Sequence, residues 1–135
     1  MWEHFSHQAD IGIKATAEGI SKAFEDAALA LTAIVTEPKK VDAVECVEIE
    51  CSAEEEELLL VNWLSSVIYE MDVRKMLFSR FEVQIENLPL RAKIWGEKIN
   101  QIKHSPAVET KAVTYNQLSV KEENGKWTVQ CVIDV

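Results

Sequence analysis

The sequence lacks the motifs on which the common enzyme classes depend. It has no GxxxxGK[ST] or GxGxxG phosphate-binding loop, no HExxH zinc motif, no GxSxG nucleophile elbow and no CxxC pair. Each of these motifs places a nucleophile, a metal ligand or a phosphate cradle at a spacing that the chemistry requires. The obvious enzyme classes are therefore weakly supported.

Basic residues are scarce, and none of their runs is longer than the pair Lys39-Lys40. Against 14 Lys and Arg stand 23 Asp and Glu, which gives a net charge of -9. Binding to a phosphate backbone requires a concentrated basic face, so we expect any RNA contact to be indirect or weak. The acidity suits a cation or a basic protein partner, although it would also serve simply to keep a small protein soluble.

The chain also lacks a signal peptide and any apolar run long enough to cross a membrane. We therefore expect a cytoplasmic protein without a membrane partner. The three cysteines, Cys46, Cys51 and Cys131, are an odd number without zinc-type spacing. We expect them to be reduced, buried packing residues.

Hydrophobic periodicity predicts an α+β fold for a single domain over residues 1–135. Apolar positions recur at helical spacing in two segments, with Ser21 and Ser52 in the positions of helix caps, and alternate in the others. We expect a two-layer sandwich, in which two helices pack on a largely antiparallel or mixed sheet of about six or seven strands. The predicted helices cover residues 20–35 and 53 to about 72, and the predicted strands cover residues 10–18, 41–51, 78–86, 90–95, 110–120 and 127–133.

Carboxylates stand at both ends of the chain beside predicted strands. Asp10 opens the first strand, and Asp134 precedes the carboxylate of Val135 directly after the last one. If these strands lie close together, the three groups form a set of hard oxygen donors, which suits calcium or magnesium and not zinc. An ordinary turn aspartate at position 10 would leave the same pattern.

Three further side chains are candidates for chemistry or binding. His7 and His104 could act as acid, base or metal ligand, because imidazole titrates near neutrality. A histidine beside a turn is more often a structural hydrogen-bonding residue. Lys111 could complement clustered carboxylates, contact a phosphate, or extend along a strand end into solvent.

Several separated motifs together resemble the archease family. They match it in order over essentially the whole chain, and they are His7-Gln8-Ala9-Asp10-Ile11-Gly12, the segment 24–31, the run Leu59-Leu60-Val61-Asn62-Trp63-Leu64, residues 109–115 and the terminal Val132-Ile133-Asp134-Val135. The resemblance implies a small two-layer α+β protein. It also implies a non-catalytic activator of the RNA ligase that joins tRNA halves during splicing. Such activators promote guanylylation and multiple turnover of the ligase and broaden its nucleotide use.

The resemblance also implies a divalent-cation site, typically for calcium, formed by Asp10, Asp134 and Val135. The family's lysine before the Ala-Val-Thr-Tyr stretch corresponds to Lys111. Three positions depart from the family pattern: Gln8 replaces a usual Thr, Asn62 a usual Asp, and Asn116 a common His. The last two changes weaken any acid or base role at those positions.

Two other function classes remain open on the sequence alone. A small metal-dependent hydrolase or nuclease could use Asp10, His7 and Asp134, although the acidic composition argues against a polyanionic substrate. A chaperone-like binding module without a metal is the other alternative. The hydrolase predicts turnover by the isolated protein, whereas the chaperone-like module predicts indifference to chelators.

Overall fold

The computed structural model describes residues 1–135 as seven strands and three helices. The strands are β1 (Trp2–His7), β2 (Asp10–Glu18), β3 (Glu45–Cys51), β4 (Met76–Gln84), β5 (Leu90–Lys98), β6 (Ala112–Glu123) and β7 (Lys126–Asp134). The helices are α1 (Ile20–Val35), α2 (Glu56–Arg74) and the short α3 (Gln101–His104), and a 3-10 turn covers Pro38–Lys40. None of the helices is both long and apolar enough to cross a membrane.

The strands form two antiparallel sheets. Sheet A has the order β1-β2-β7-β6, and sheet B has the order β3-β5-β4. Both long helices contact strands of both sheets: α1 packs on β2, β7 and β4, whereas α2 packs on β6, β3 and β4. One continuous apolar cluster of 31 buried residues joins the two helices to β2, β3, β4 and β7, and partly buried residues of β6 pack against it.

Two buried hydrogen bonds tie α1 to its neighbours within this core. The indole Nε1 of Trp63 on α2 donates to the carbonyl of Phe24, at 2.9 Å. The hydroxyl of Thr32 donates to the carbonyl of Phe78 on β4, at 2.7 Å. Both polar side chains are thus satisfied in the buried core, where an unpaired group would be costly.

The predicted α+β class, the antiparallel pairing and the two long helices are confirmed, but four details differ. The strands are divided between two sheets, β1 was not predicted, and the expected loop over residues 99–108 contains α3. The strand predicted over 41–51 begins only at Glu45, because residues 41–44 follow the 3-10 turn.

Both predicted helix caps are wrong. Helix α1 begins after Gly19, so Ser21 lies inside its first turn. Helix α2 begins four residues after Ser52, with Glu55 as the N-cap residue and without a side-chain cap. Glu56 and Glu57 still lie in its first turn, where the helix dipole favours negative charge.

The prediction that the cysteines are buried is confirmed fully for one of the three. All three are free, but Cys131 is buried, Cys51 is half-buried and Cys46 is exposed. Burial raises the pKa of the Cys131 thiol to about 12 and that of Cys51 to about 11. Cys46 is exposed because its side chain belongs to the outer face of β3, with those of Glu48 and Glu50.

Candidate functional site

The pairing of β2 with β7 brings the two ends of the chain together. Ile11 pairs with Ile133, and continuing this register by one residue places Asp10 beside Asp134. On the far side of β2, His7 pairs with Asp10. On the far side of β7, Ala112 pairs with Asp134. One end of sheet A therefore carries a row of His7, Asp10 and Asp134 across three adjacent strands.

Lys111 lies at the same end of the sheet. Its backbone N–H donates to the carbonyl of Asp134 at 2.8 Å, one residue before β6 begins. The side chain of Lys111 is exposed. The structure thus groups four of the sequence-predicted residues, His7, Asp10, Lys111 and Asp134, with Val135 next to them.

The carboxylates of Asp10 and Asp134 share the face of sheet A that points away from the helices. Side chains alternate along a strand, and the pair Ile11 and Ile133 faces the core, so the neighbouring aspartates face the other way. Both aspartates are half-buried, and neither forms an ion pair within the protein. Two partly desolvated carboxylates without a cationic partner are unfavourable beside each other.

His7 contributes a buried polar atom that has no partner. Its Nδ1 is buried and makes no hydrogen bond. The adjoining turn has only two residues, Gln8 and Ala9, and Gln8 adopts a left-handed backbone with φ 55°. An unprotonated imidazole nitrogen can accept a hydrogen bond or bind a metal, and His7 Nδ1, on the strand next to Asp10, is a polar atom that the protein itself leaves unused.

The residues at this end of the sheet can hold a hard cation only if a main-chain oxygen joins the side-chain carboxylates. Nowhere in the chain do three His, Cys, Asp or Glu side chains converge in a way that could hold a metal ion. Asp10 and Asp134 alone supply too few side-chain donors, and Val135, the third residue of the predicted cation site, directly follows Asp134. Val135 is half-buried and packs against the core, so the end of β7 is anchored.

His104 is not part of this group. It is buried at the end of α3, where its Nδ1 accepts the backbone N–H of Asn100 at 2.9 Å and its Nε2 lies 3.0 Å from Glu97 Oε2. A buried ring that is bonded on both nitrogens has a structural role. It offers no free surface to a partner or substrate.

Glu97 is the centre of this second cluster, which the sequence analysis missed. Its Oε2 accepts the backbone N–H of Asp42 at 2.8 Å and the Lys103 ammonium at 2.7 Å, in addition to His104. The Asp42 N–H, the Lys103 ammonium and His104 together lower the pKa of the Glu97 carboxyl to about 2. Lys103 also binds the Asp42 carboxylate at 2.7 Å, which contributes to raising the pKa of Lys103.

Two of the three positions that depart from the family pattern, Asn62 and Asn116, have local structural roles. The Asn62 amide donates to the carbonyl of Ser52 at 2.8 Å, which ties α2 to the segment before it. Asn116 bonds to the Thr114 hydroxyl, within the irregular part of β6 between Thr114 and Ser119. Neither residue has an acid or base function here.

Phe5 is a further residue near the site that the sequence analysis did not identify. It pairs with Gly12, and its ring would lie within 2.4 Å of a Cβ atom at that position. The ring therefore covers Gly12 on the face that carries Asp10. A glycine inside a strand was the available signal, since it often marks a close approach of another group.

Comparisons with known proteins agree over nearly the full chain. The family described as "Archease protein family (MTH1598/TM1083)" matches residues 2–135. "Protein archease" of Pyrococcus abyssi is 37% identical over 139 residues, with 99% of this chain and 98% of the relative covered. That of Sulfurisphaera tokodaii is 36% identical over 136 residues, with the same coverage.

Two solved structures have a similar fold. Protein 1598 of Methanobacterium thermoautotrophicum superposes with a TM-score of 0.79 at 27% identity, covering 99% of this chain and 98% of that one. An archease of Thermotoga maritima, described as a possible chaperone, gives a TM-score of 0.60 at 19% identity, covering 97% and 94%. At that identity the second likeness concerns the fold alone.

Proposed function

The chain belongs to the archease family, and from this premise we propose that it is a non-catalytic activator of the RNA ligase that joins tRNA halves during splicing. It promotes guanylylation of the ligase, allows multiple turnover and broadens nucleotide use. Family membership supports this assignment, as does the lack of an enzymatic motif in the sequence.

One observation carries the proposal: Asp10, Asp134, Val135 and Lys111 come together at one end of sheet A. The aspartates form no ion pairs inside the protein, so their charge is available to an external group. An ammonium group and carboxylates at one end of the same sheet can contact a nucleotide phosphate and a cation together. This combination suits assistance at a nucleotidyl-transfer site.

A divalent cation, calcium in the first instance, would be held by Asp10, Asp134 and the carboxylate of Val135. When bound, it would neutralise the carboxylates and supply a positive centre for phosphate oxygens. The chain's own residues fix the arrangement through the β2–β7 pairing and the Lys111 N–H bond to Asp134. Lys111 adds a second positive group beside this set.

The net charge of -9 favours encounter with a basic cleft on the ligase. Complementary charge mainly accelerates association, and salt screens it over a Debye length of about 8 Å at physiological ionic strength. We therefore expect activation of the ligase to weaken as salt rises. Activation that is unchanged between low and high salt would contradict docking by charge.

The decisive experiment adds substoichiometric amounts of this protein to a partner RNA ligase, with and without a chelator. Ligated product in excess of the added protein, lost on chelation, supports the proposal. Asp10→Asn and Asp134→Asn should each abolish activation. Glu18→Gln, at the opposite end of the same strand and on the same face, should retain it.

A control without ligase separates the other functions. RNA cleavage by the isolated protein with magnesium would establish the hydrolase and overturn the proposal. Activation of the ligase that survives both the chelator and the two aspartate variants would instead indicate a chaperone-like module. In that second case the cation would have no part in ligase activation.

A further inference from the structure

Strand β3 forms an open edge of sheet B. It pairs only with β5, and none of the backbone hydrogen bonds outside the sheets and helices involves residues 45–51. The other edge, β4, is partly occupied by α1, whose Glu25 carboxylate accepts the N–H of Val83 at 2.9 Å. The backbone donors and acceptors along the outer side of β3 are therefore free for another strand.

A groove of about 450 Å³ follows this edge between β3 and α2, and we call it the β3–α2 groove. The helix lines it with Asn62, Ser65, Ser66 and Tyr69. The two serines are small and leave room beside the strand, and the tyrosine ring is 62% exposed. Pockets for alternate side chains beside a free strand edge are what strand addition requires.

The charge in the groove indicates the chemistry of its occupant. Glu48, Glu50 and Glu70 line it, and no Lys or Arg does. Glu50 is paired with Arg91 and Glu70 with Arg74, whereas Glu48 forms no ion pair. A second copy of the chain pairing through β3 would oppose the glutamates of the two strands, so like charges disfavour self-association.

We propose that the β3–α2 groove binds an extended, basic peptide segment of a partner protein, which adds a fourth strand to sheet B. Its backbone pairs with β3, its basic side chains meet Glu48 and Glu50, and alternate side chains lie over Ser65 and Tyr69. This inference does not depend on the proposed function, because it concerns a surface formed by other elements and is tested without a ligase.

The test uses a short fluorescein-labelled peptide in which lysine and valine alternate. Fluorescence anisotropy should show binding, and hydrogen exchange should show new protection of the amides in residues 45–51. A peptide with the same side chains but methylated backbone nitrogens should bind at least about tenfold more weakly, because it cannot donate to the strand edge. A peptide alternating glutamate and valine should not bind.

Two matched variants locate the binding. Ser65→Arg fills the groove and opposes its charge, so it should weaken peptide binding about tenfold or more. Val73→Arg adds the same charge to an exposed position of α2 outside the groove and should leave the affinity within about twofold. Circular dichroism verifies that both variants fold.

Equal affinity for the methylated peptide, protection elsewhere than β3, or an unchanged affinity of Ser65→Arg would each overturn the inference. A dimer by light scattering that is lost in Ser65→Arg would also overturn it, in favour of a second copy as the occupant.

Discussion

At two glycines, the loss of stability on substitution by alanine depends on which atom the added methyl group would meet. A Cβ at Gly12 would meet the ring of Phe5 at 2.2 Å, and one at Gly96 would meet the backbone carbonyl oxygen of Leu77 at 1.8 Å. A ring can rotate away at modest cost. The Leu77 backbone belongs to β4, which pairs with β5, so it can move only by disturbing the hydrogen bonds between these two strands.

We therefore predict that Gly96→Ala destabilises the protein by about 3 kcal/mol or more, and Gly12→Ala by about 1 to 2 kcal/mol. Urea unfolding measures both. Adding Phe5→Ala to Gly12→Ala should cost less than the sum of the two single changes, because the clash disappears with the ring. Simple additivity would show that Phe5 does not cover Gly12 in solution.

Glu97 should make stability depend on pH in the acid range. Its pKa is lowered from the usual 4.5 to about 2 by the Asp42 N–H, Lys103 and His104. A depressed pKa stabilises the folded state fully above the unfolded value, and this contribution fades as pH falls from about 4.5 towards 2. We expect the difference in Tm between wild type and Glu97→Gln to be constant above pH 5 and to shrink below pH 4.5.

Glu54→Gln is the control for this experiment, because that exposed carboxylate has no hydrogen-bonding partner or ion pair. Its Tm should stay close to that of the wild type throughout. A gap between wild type and Glu97→Gln that is independent of pH would mean that the hydrogen bonds of Glu97 do not favour its ionised form.

The sequence identified site residues whose signal is local, and it missed those whose partners are brought close only by folding. Asp10 and Asp134 were recognisable because charge at a strand end is unusual. The structural role of His104 could not be predicted, because its contacts depend on tertiary packing. Its ring bonds to Glu97, and its carbonyl accepts the Thr36 hydroxyl. The orphaned His7 Nδ1 is likewise visible only after the strands pair.

At the scale of elements, hydrophobic period predicted the long helices and most strands but failed at β1. In β1, Trp2 and His4 share one face, and Glu3, Phe5 and His7 share the other. Both faces mix aromatic and polar residues, so no alternation of hydrophobic character appears. The Nε2 atom of His4 forms a hydrogen bond with the carbonyl of Ala30 in α1, at 2.8 Å. A local sequence pattern cannot predict this contact between distant segments.

The start of α2 provides a test at this scale. Ser52 has the spacing of a capping box, yet the helix begins after Glu55. We predict that Ser52→Ala changes the free energy of unfolding by less than about 0.5 kcal/mol, whereas losing a true cap costs about 1 kcal/mol. Asn62→Ala should cost more than Ser52→Ala, because it breaks the bond to the Ser52 carbonyl. A loss of 1 kcal/mol or more in Ser52→Ala would restore the capping role.

For the whole molecule, the cation proposal predicts a gain in stability that can be measured without a ligase. A ligand that binds only the folded state stabilises it by about 2.7 kcal/mol at a hundred times its Kd. Calcium should therefore raise the Tm of the wild type and of Glu18→Gln, but not of Asp10→Asn or Asp134→Asn. Without calcium, the aspartate variants should be at least as stable as the wild type, because repulsion between neighbouring carboxylates is relieved.

Adding two glycines after Val135 tests whether the carboxylate of Val135 is the third ligand of the cation. The extension moves the terminal carboxylate away while leaving both aspartates in place, so the effect of calcium on Tm should be greatly reduced. A full effect in the extended chain would exclude Val135 from the site. An absent effect in the wild type would remove the cation from the proposal.

The last strand of the chain, β7, lies inside sheet A, between β2 and β6. During synthesis the β1–β2 hairpin therefore leaves the ribosome long before the strand that must pair with it, and sheet A can close only once β7 has been made. Asp134 arrives with that strand. A polypeptide in which β7 has not yet been made lacks the paired aspartates, so a ligand of that pair would distinguish molecules with a closed sheet A from those without one.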